Sequence, residues 1–324
     1  MPTAGMTIET QGARLKVTSP SGLTYEASTS ASDGVLEDFF AAYDSSFVLA
    51  NEKEGFAGFA ECLALNEGAG YEALRARYGP FREFVVVVRN AGGAVVGGLN
   101  FIAFPLAEPD SRQHSLSLNL SYIFVPPSQR QRGVFRKLVA ELPGLALALF
   151  AQTNPQDVPQ EWRASPRAPM VYIFIEQNDP YRMTPQDYAR DTQATGLDQL
   201  ARIALWARQG ARIVDFAYVQ PALTADQQAD RSLVYAVLGT EAPSLHPSLL
   251  RQHLERFFGI SVLKGRDPEG DAEAHQQLAQ LAALEAAGAR VALLKMIDPA
   301  RLPKPGGLEG AERASTLRDL LAPL

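Results

Sequence analysis

Apolar and polar positions change period several times along the chain, and each change marks an expected element. From Gly34, Leu36, Phe39, Phe40, Tyr43 and Phe47 recur at helical spacing in "GVLEDFFAAYDSSFVLA", with Asp33 placed to cap that helix. "GYEALRARYG" predicts a second helix. "FVVVV", Phe84 to Val88, is a β-branched run and predicts a strand. Gly92-Gly93 permits a tight hairpin turn into a return strand from Val95 to Phe104. A loop from Pro105 to Arg112 leads to a third strand, Leu116 to Val125. These three strands are consecutive and are expected to be antiparallel. A helix follows from about Gly133 to Ala151.

Before this block, "RLKVTSP" and "LTYEAS" predict a short hairpin around Pro20-Ser21-Gly22. After it comes a long proline-bearing connection, and then "MVYIFIEQN" reads as a buried strand. The strand–helix–strand step from 116 to 177 predicts a parallel pair. "DQLARIALWARQG" predicts a helix with Leu200, Ile203, Leu205 and Trp206 inward and Gly210 at its end. "ARIVDFAYVQP" and "SLVYAVLG" predict two further strands. "HPSLLRQHLERFFG" predicts an amphipathic helix with proline in its first turn. No internal repeat is found. The fold class expected is α/β, a mixed and mostly antiparallel central sheet with helices on both faces. One domain is expected over 1–262, its core at about 34–240, with a helical extension over 263–324.

Composition narrows the function classes. Of 324 residues, 46% are apolar and 20% charged, enough for a packed core. A net charge of −6 argues against a general nucleic-acid binder, which needs a basic face. Cys62 is the single cysteine, which excludes an intrachain disulfide and fits a reducing compartment. "MPTAGMTIETQG" has no signal-peptide pattern, and the run "LPGLALALFA" is about half a membrane span. A soluble cytoplasmic protein is therefore expected, with neither membrane nor nucleic acid as partner. His114, His246, His253 and His275 show no metal-ligand spacing, so no metal is expected. The alanine-rich segment 271–288 packs on its own domain or on a second subunit as a homodimer; the sequence leaves both open.

The stretch "FVPPSQRQRGVFRKL", Phe124 to Leu138, concentrates the chemistry. Pro126 and Pro127 end a strand's ladder. Arg130, Arg132 and Arg136 then surround Gly133 where a helix begins. A helix N-terminus offers unpaired N–H groups and partial positive charge, and phosphate binds such sites. The other reading is a solvated basic loop before an ordinary helix.

This segment resembles the cofactor motif of the GCN5-related N-acetyltransferase superfamily, Arg/Gln-x-x-Gly-x-Gly/Ala between a strand and a helix. Arg130, Gln131, Arg132, Gly133, Val134 and Phe135 stand in that frame. The resemblance covers roughly residues 34–240. It extends to "NDP" after the next strand, with Asn178 where the family often has an asparagine near the pantetheine arm. It also extends to "ALWARQGARIVDF". It implies acetyl-CoA or another acyl-CoA as donor and a primary amine, on a small molecule or a peptide, as acceptor. It also implies strands splayed at a cofactor cleft. The 130–135 loop would hold the diphosphate, backbone groups of Phe124 and Val125 the pantetheine arm, and Trp206 would pack near the sulfur.

Three family features depart. Phe135 stands where the motif ends in glycine or alanine. Trp206 stands where many members carry a tyrosine that protonates the departing thiolate, and an indole cannot supply that proton. Ser121 stands at the common glutamate position. Glu176 is the best remaining carboxylate, with Tyr122 as a candidate acid. Alternation puts Leu116, Leu118, Leu120, Tyr122 and Phe124 on one face, and Ser117, Asn119, Ser121, Ile123 and Val125 on the other. Asn119, Asn100 and Tyr218 are candidates to line an acceptor pocket; that polar face instead meets solvent in the simpler reading. The function expected is direct acyl transfer to an amine in a ternary complex. The alternatives are a CoA-binding module without catalysis, and use of an acyl carrier protein or long acyl chain.

Overall fold

The structure, a computed structural model, describes residues 5–47, 53–111, 113–165, 167–223, 227–305 and 316–322. The end of the first expected helix (48–50), Arg112 of the expected loop, and 306–315 and 323–324 of the expected extension lie outside these. The chain forms two compact units, Met1–Ile173 and Phe174–Leu324.

The first unit opens with β1 (Thr7–Gln11), β2 (Arg14–Thr18) and β3 (Thr24–Ser28). Three helices follow, α1 (Val35–Asp44), α2 (Phe56–Ala64) and α3 (Gly68–Tyr78). Then come β4 (Arg82–Arg89), β5 (Val95–Ala107) and β6 (His114–Phe124). The long α4 (Val134–Thr153) and the short α5 (Gln160–Ala164) complete it. Strands β1 to β6 pair in chain order, each antiparallel to the next. The hairpin expected at Pro20-Ser21-Gly22 is β2–β3, and its β3 edge joins β4 through Ala27 opposite Val86. At α1, Gly34 rather than Asp33 is the cap residue, with φ 82°. Asp33 still serves the helix, since its Oδ1 accepts the Val35 amide at 3.1 Å.

Helices cover both faces of this sheet. On one face α1 packs Leu36, Phe39 and Tyr43 against Val85, Val87 and Phe124. The rings of Phe39, Tyr43, Phe59 and Phe124 lie 5.1–6.3 Å apart, mostly edge to face, an arrangement worth about 0.5–1.5 kcal/mol per pair beyond burial. Gly98 is opposite Phe124 in register, and a Cβ there would strike the Phe124 ring. Gly97 faces the other way. A Cβ on it would meet Leu138 of α4 at 3.0 Å, so α4 lies on the opposite face. Tyr25 reaches the same side and donates to Glu141 of α4 at 2.5 Å.

The sheet carries one irregularity next to the candidate site. Asn100 is opposite Tyr122 but Phe101 is opposite Leu120, so Ser121 is an extra residue, a β-bulge. The bulge reverses the alternation that sequence spacing predicts. Register groups Ser117 and Asn119 with Tyr122 and Phe124, and Leu116, Leu118 and Leu120 with Ile123 and Val125. Nor does the polar face meet solvent: Ser117 and Asn119 are fully buried. At the foot of β6 the Leu116 amide donates to the Met170 carbonyl at 2.9 Å. Met170 immediately precedes the next strand.

That strand, β7 (Val171–Asn178), runs into the second unit. Here follow α6 (Pro185–Thr195), α7 (Gln199–Arg208), β8 (Arg212–Val214), β9 (Leu233–Leu238) and β10 (Ser244–Leu245). Then come α8 (Pro247–Phe257), α9 (Ala272–Ala286), β11 (Val291–Leu294) and α10 (Leu317–Leu321). The strand order is β7-β9-β8-β11-β10. β8 is shorter than its apolar run because the chain bends at once: Phe216 N–H donates to Val214 O and Tyr218 N–H to Phe216 O, both at 2.8 Å. Residues 263–294 supply α9, which packs on α8, and β11, which pairs with β8. Among the described residues no helix is long and apolar enough to cross a membrane.

Candidate functional site

The loop between β6 and α4 combines a short turn, two left-handed residues and an exposed helix start. After Pro126 a short turn spans Pro127–Gln129, closed by Arg130 N–H to Pro127 O at 3.3 Å. Gln131 then takes φ 63°, a left-handed conformation uncommon for a residue with a side chain. Gly133 takes φ 73° and is the residue before α4, where a glycine adopts this conformation without strain. No side chain caps this end of α4. Its first N–H groups are the unsatisfied donors every helix leaves at its start. Gln131, Arg132 and Gly133 are exposed, whereas Val134 is buried and roots the helix.

The three arginines divide. Arg130 turns back on its own loop, donating Nε to the Val125 carbonyl at 3.2 Å. It therefore braces the loop and occupies one of the backbone groups expected to meet a pantetheine arm. Arg132 and Arg136 are exposed. Among the described residues neither has a carboxylate partner, so both are available to an incoming anion. Phe135 is part-buried beside them.

Behind the loop, in the first unit, the predicted acceptor residues are packed. Asn100 is 4% exposed and spends its amide hydrogens on Glu83 Oε1 (2.8 Å) and the Phe84 carbonyl (3.0 Å). Glu83, itself buried, was not singled out by sequence, because a charged residue inside an apolar strand carries no periodic signal. Asn66 clamps the start of the same strand, accepting the Glu83 amide and donating to its carbonyl, each at 2.9 Å. Asn119 lies beside Ser121 at the bulge, Nδ2 to Oγ 3.5 Å. Tyr122 packs edge-on to Tyr43 with ring centroids 4.9 Å apart. Tyr43 is pushed up to about 12, chiefly by burial, with a hydrogen bond to Tyr122 opposing the shift.

In the second unit the structure joins two residues that the sequence proposed separately. The Tyr218 phenol donates to the Glu176 carboxylate. Tyr218 is 4% exposed, and its ring stacks on Tyr235 at 4.4 Å. The Tyr235 hydroxyl bonds His253 Nε2 at 2.8 Å, and both rings stack on Phe174. Burial drives Tyr218 and Tyr235 well above the ordinary phenol range, and the Glu176 carboxylate adds to both shifts. Burial pulls His253 well below the ordinary imidazole value, so it is neutral at pH 7. Glu176 and Asn178 are part-exposed on one face of β7, and Trp206 is buried on α7. Sequence reasoning missed Tyr235 and His253 because each reads as a core position of its own element. Among the described residues no cluster of metal-ligating side chains forms.

No family model and no curated protein matches the chain. Among solved structures it is similar to NAA60 of Arabidopsis thaliana in complex with acetyl-CoA, at 14% identity and TM-score 0.33, over 68% of this chain and 99% of that one. It is also similar to a variant of the spermidine N-acetyltransferase SpeG of Vibrio cholerae, at 14% identity and TM-score 0.31, over 67% and 94%. A third is a GCN5-related N-acetyltransferase of Kribbella flavida, at 16% identity and TM-score 0.26, over 68% and 100%.

Proposed function

We propose that the chain is an acyl-CoA-dependent N-acyltransferase of the GCN5-related kind, transferring an acetyl group to a primary amine. One observation carries this reading: the uncapped start of α4 behind a left-handed Gln131 and Gly133, flanked by Arg132 and Arg136, which have no carboxylate partner among the described residues. That combination of open N–H groups and two free guanidinium groups suits a diphosphate.

In this reading the loop 131–136 takes the diphosphate of CoA, and Arg130 keeps the loop in shape. The thioester supplies the acyl group. An amine N–C bond forms as the thioester C–S bond breaks, and the departing amine proton passes to Glu176. Tyr218 holds that carboxylate in one orientation. Neither Trp206 nor Ser121 takes part in proton transfer. A buried, single Cys62 supports a cytoplasmic setting.

A second reading, a CoA-binding module without turnover, is favoured by the identity of Ser121 and Trp206 alone. The two separate in one assay. Free thiol release from acetyl-CoA is measured against a panel of polyamines, amino sugars and peptide amines. Release that requires an amine and drops in Glu176→Gln supports the enzyme. Tight CoA binding with no release under any amine supports the module.

A further inference from the structure

Residues 316–322 are held at one corner of the second unit. β7 ends at Asn178, and Asp179, just beyond it, is 1% exposed. Asp179 closes the turn that leaves the strand. Its carbonyl accepts the Arg182 amide at 2.9 Å, and its Oδ1 accepts the Tyr181 amide at 2.9 Å. The same carboxylate also reaches a residue 138 positions away: the Leu317 amide, the first of α10, donates to Oδ1 at 3.2 Å and to Oδ2 at 3.0 Å. Tyr181 supplies a tie to the chain further upstream, its hydroxyl donating to the Pro303 carbonyl at 2.8 Å.

The forces holding α10 are few, and one opposes the rest. The helix has five residues, too few to stay wound alone. A capping box supports it: Thr316 Oγ1 accepts the Asp319 amide at 3.1 Å, and Asp319 Oδ2 accepts the Thr316 amide at 2.9 Å. Leu317 is its one buried residue. Arg318 reaches Asp215 at 3.7 Å near the surface, and such a pair adds little. Against these stands Asp179. Among the described residues only main-chain N–H groups donate to its carboxylate. Arg182 attracts the charge and Asp319 repels it, but burial is the largest influence and pushes its pKa up. A carboxylate taken from water without a paired cation opposes the docking that helps to bury it. One leucine and one set of caps are thus set against one desolvated charge, the balance expected of a segment that opens by itself.

We propose that residues 316–322 form a releasable strap, which docks on Asp179 and lifts from it while the second unit stays folded. The consequence falls on the end of β7. The turn from Asp179 to Met183 continues the strand that carries Glu176 and Asn178, so release loosens the chain directly after both. No ligand is involved, so this device and the acyl-CoA reading stand or fall separately.

Native-state hydrogen exchange on the full chain is the test. The Asp319 and Leu320 amides, both bonded to Thr316, report the strap, and the amides of β9 report the core of the unit. Independent opening predicts that the two α10 amides exchange about a hundredfold or more faster than those of β9, at a rate that low urea leaves unchanged. Two variants then probe the two ties. Leu317→Pro removes the N–H that meets Asp179, at a first helical position that suits proline. Leu317→Ala keeps the N–H and removes the buried side chain. Each is expected to speed exchange at Asp319 and Leu320 by about tenfold, with β9 exchange and melting temperature unchanged. The wild-type comparison decides the matter even if neither variant folds. Exchange of the α10 amides at the β9 rate, with the urea dependence of β9, overturns the proposal, because the segment then opens only with the whole unit. Exchange at the rate of an unstructured peptide also overturns it, because no docked state then exists. Variants that lower protection in β9 as much as in α10 overturn it too, because the segment is then part of the core.

Discussion

Tyr218 donates its hydroxyl hydrogen to Glu176 while its ring lies nearly parallel to Tyr235, planes 13° apart. One side chain thus ties a part-exposed carboxylate to a buried aromatic stack. Removing the hydroxyl leaves the carboxylate short of a donor. Tyr218→Phe is expected to cost about 1.5–3 kcal/mol, read as a lower urea midpoint at constant m. In the enzyme reading it also lowers kcat while leaving CoA affinity unchanged. An unaltered midpoint and kcat would show that the bond carries neither stability nor function.

Buried titratable groups give stability two pH edges of opposite sign. Tyr218 and Tyr235 have phenol pKa values raised above 10.0 in the folded state. Their contribution is complete below pH 10 and is lost as pH rises beyond it, since only the unfolded chain then releases the proton. His253 is shifted the other way, below 6.5. Its contribution is complete above that value and is lost as pH falls, since the unfolded chain then takes up a proton that the buried ring refuses. Each edge is expected to slope at up to about 1.4 kcal/mol per pH unit per group. Urea unfolding from pH 5 to 11 measures both, and the acid edge is expected to flatten in His253→Phe combined with Tyr235→Phe.

The aromatic face of the first unit makes a packing prediction. Phe39 touches the rings of Tyr43, Phe59 and Phe124. Phe39→Ala is expected to cost about 3–5 kcal/mol. Gly97→Ala would press a methyl to 2.9 Å from the Phe124 carbonyl and 3.0 Å from Leu138, an overpacking cost of about 1–3 kcal/mol. Thermal denaturation checks both. Tolerance of Gly97→Ala would mean that α4 can move off the sheet.

Much of this architecture is legible in the sequence where one period dominates. The β-branched run at Phe84–Val88, the Gly92-Gly93 turn and the stripe Leu36, Phe39, Tyr43 each specify their element. The bulge at Ser121 is not legible, because an extra residue changes pairing without changing composition. β8 reads longer than it is, because "IVDFAYV" keeps an apolar pattern through two tight turns. The two-residue strand β10 and the short β11 fall below the length at which a pattern shows. At the candidate site the loop around Gly133 stands out through its glycine and charges. The Tyr218–Glu176 bond joins residues 42 apart in sequence, and the Tyr235–His253 bond joins elements that spacing alone cannot bring together.

The charges on the loop make a binding prediction separable from folding. Arg132 and Arg136 are exposed and lack carboxylate partners among the described residues, so neither supports the described fold through an ion pair. Arg132→Ala and Arg136→Ala are each expected to leave the melting temperature unchanged and to weaken CoA several-fold. The loss should shrink as salt is raised, because screening removes the same attraction. Equal CoA affinity in the double variant would mean that the guanidinium groups are bystanders.

The most direct measurement follows the backbone amide resonances of Gln131 to Arg136 while CoA, and then 3′-phospho-ADP, is added. Main-chain donation to a diphosphate predicts that these resonances shift together and saturate with both compounds, at matching concentrations to the calorimetric affinity. Saturable binding of CoA with these amides unmoved would place the cofactor elsewhere and contradict the proposal.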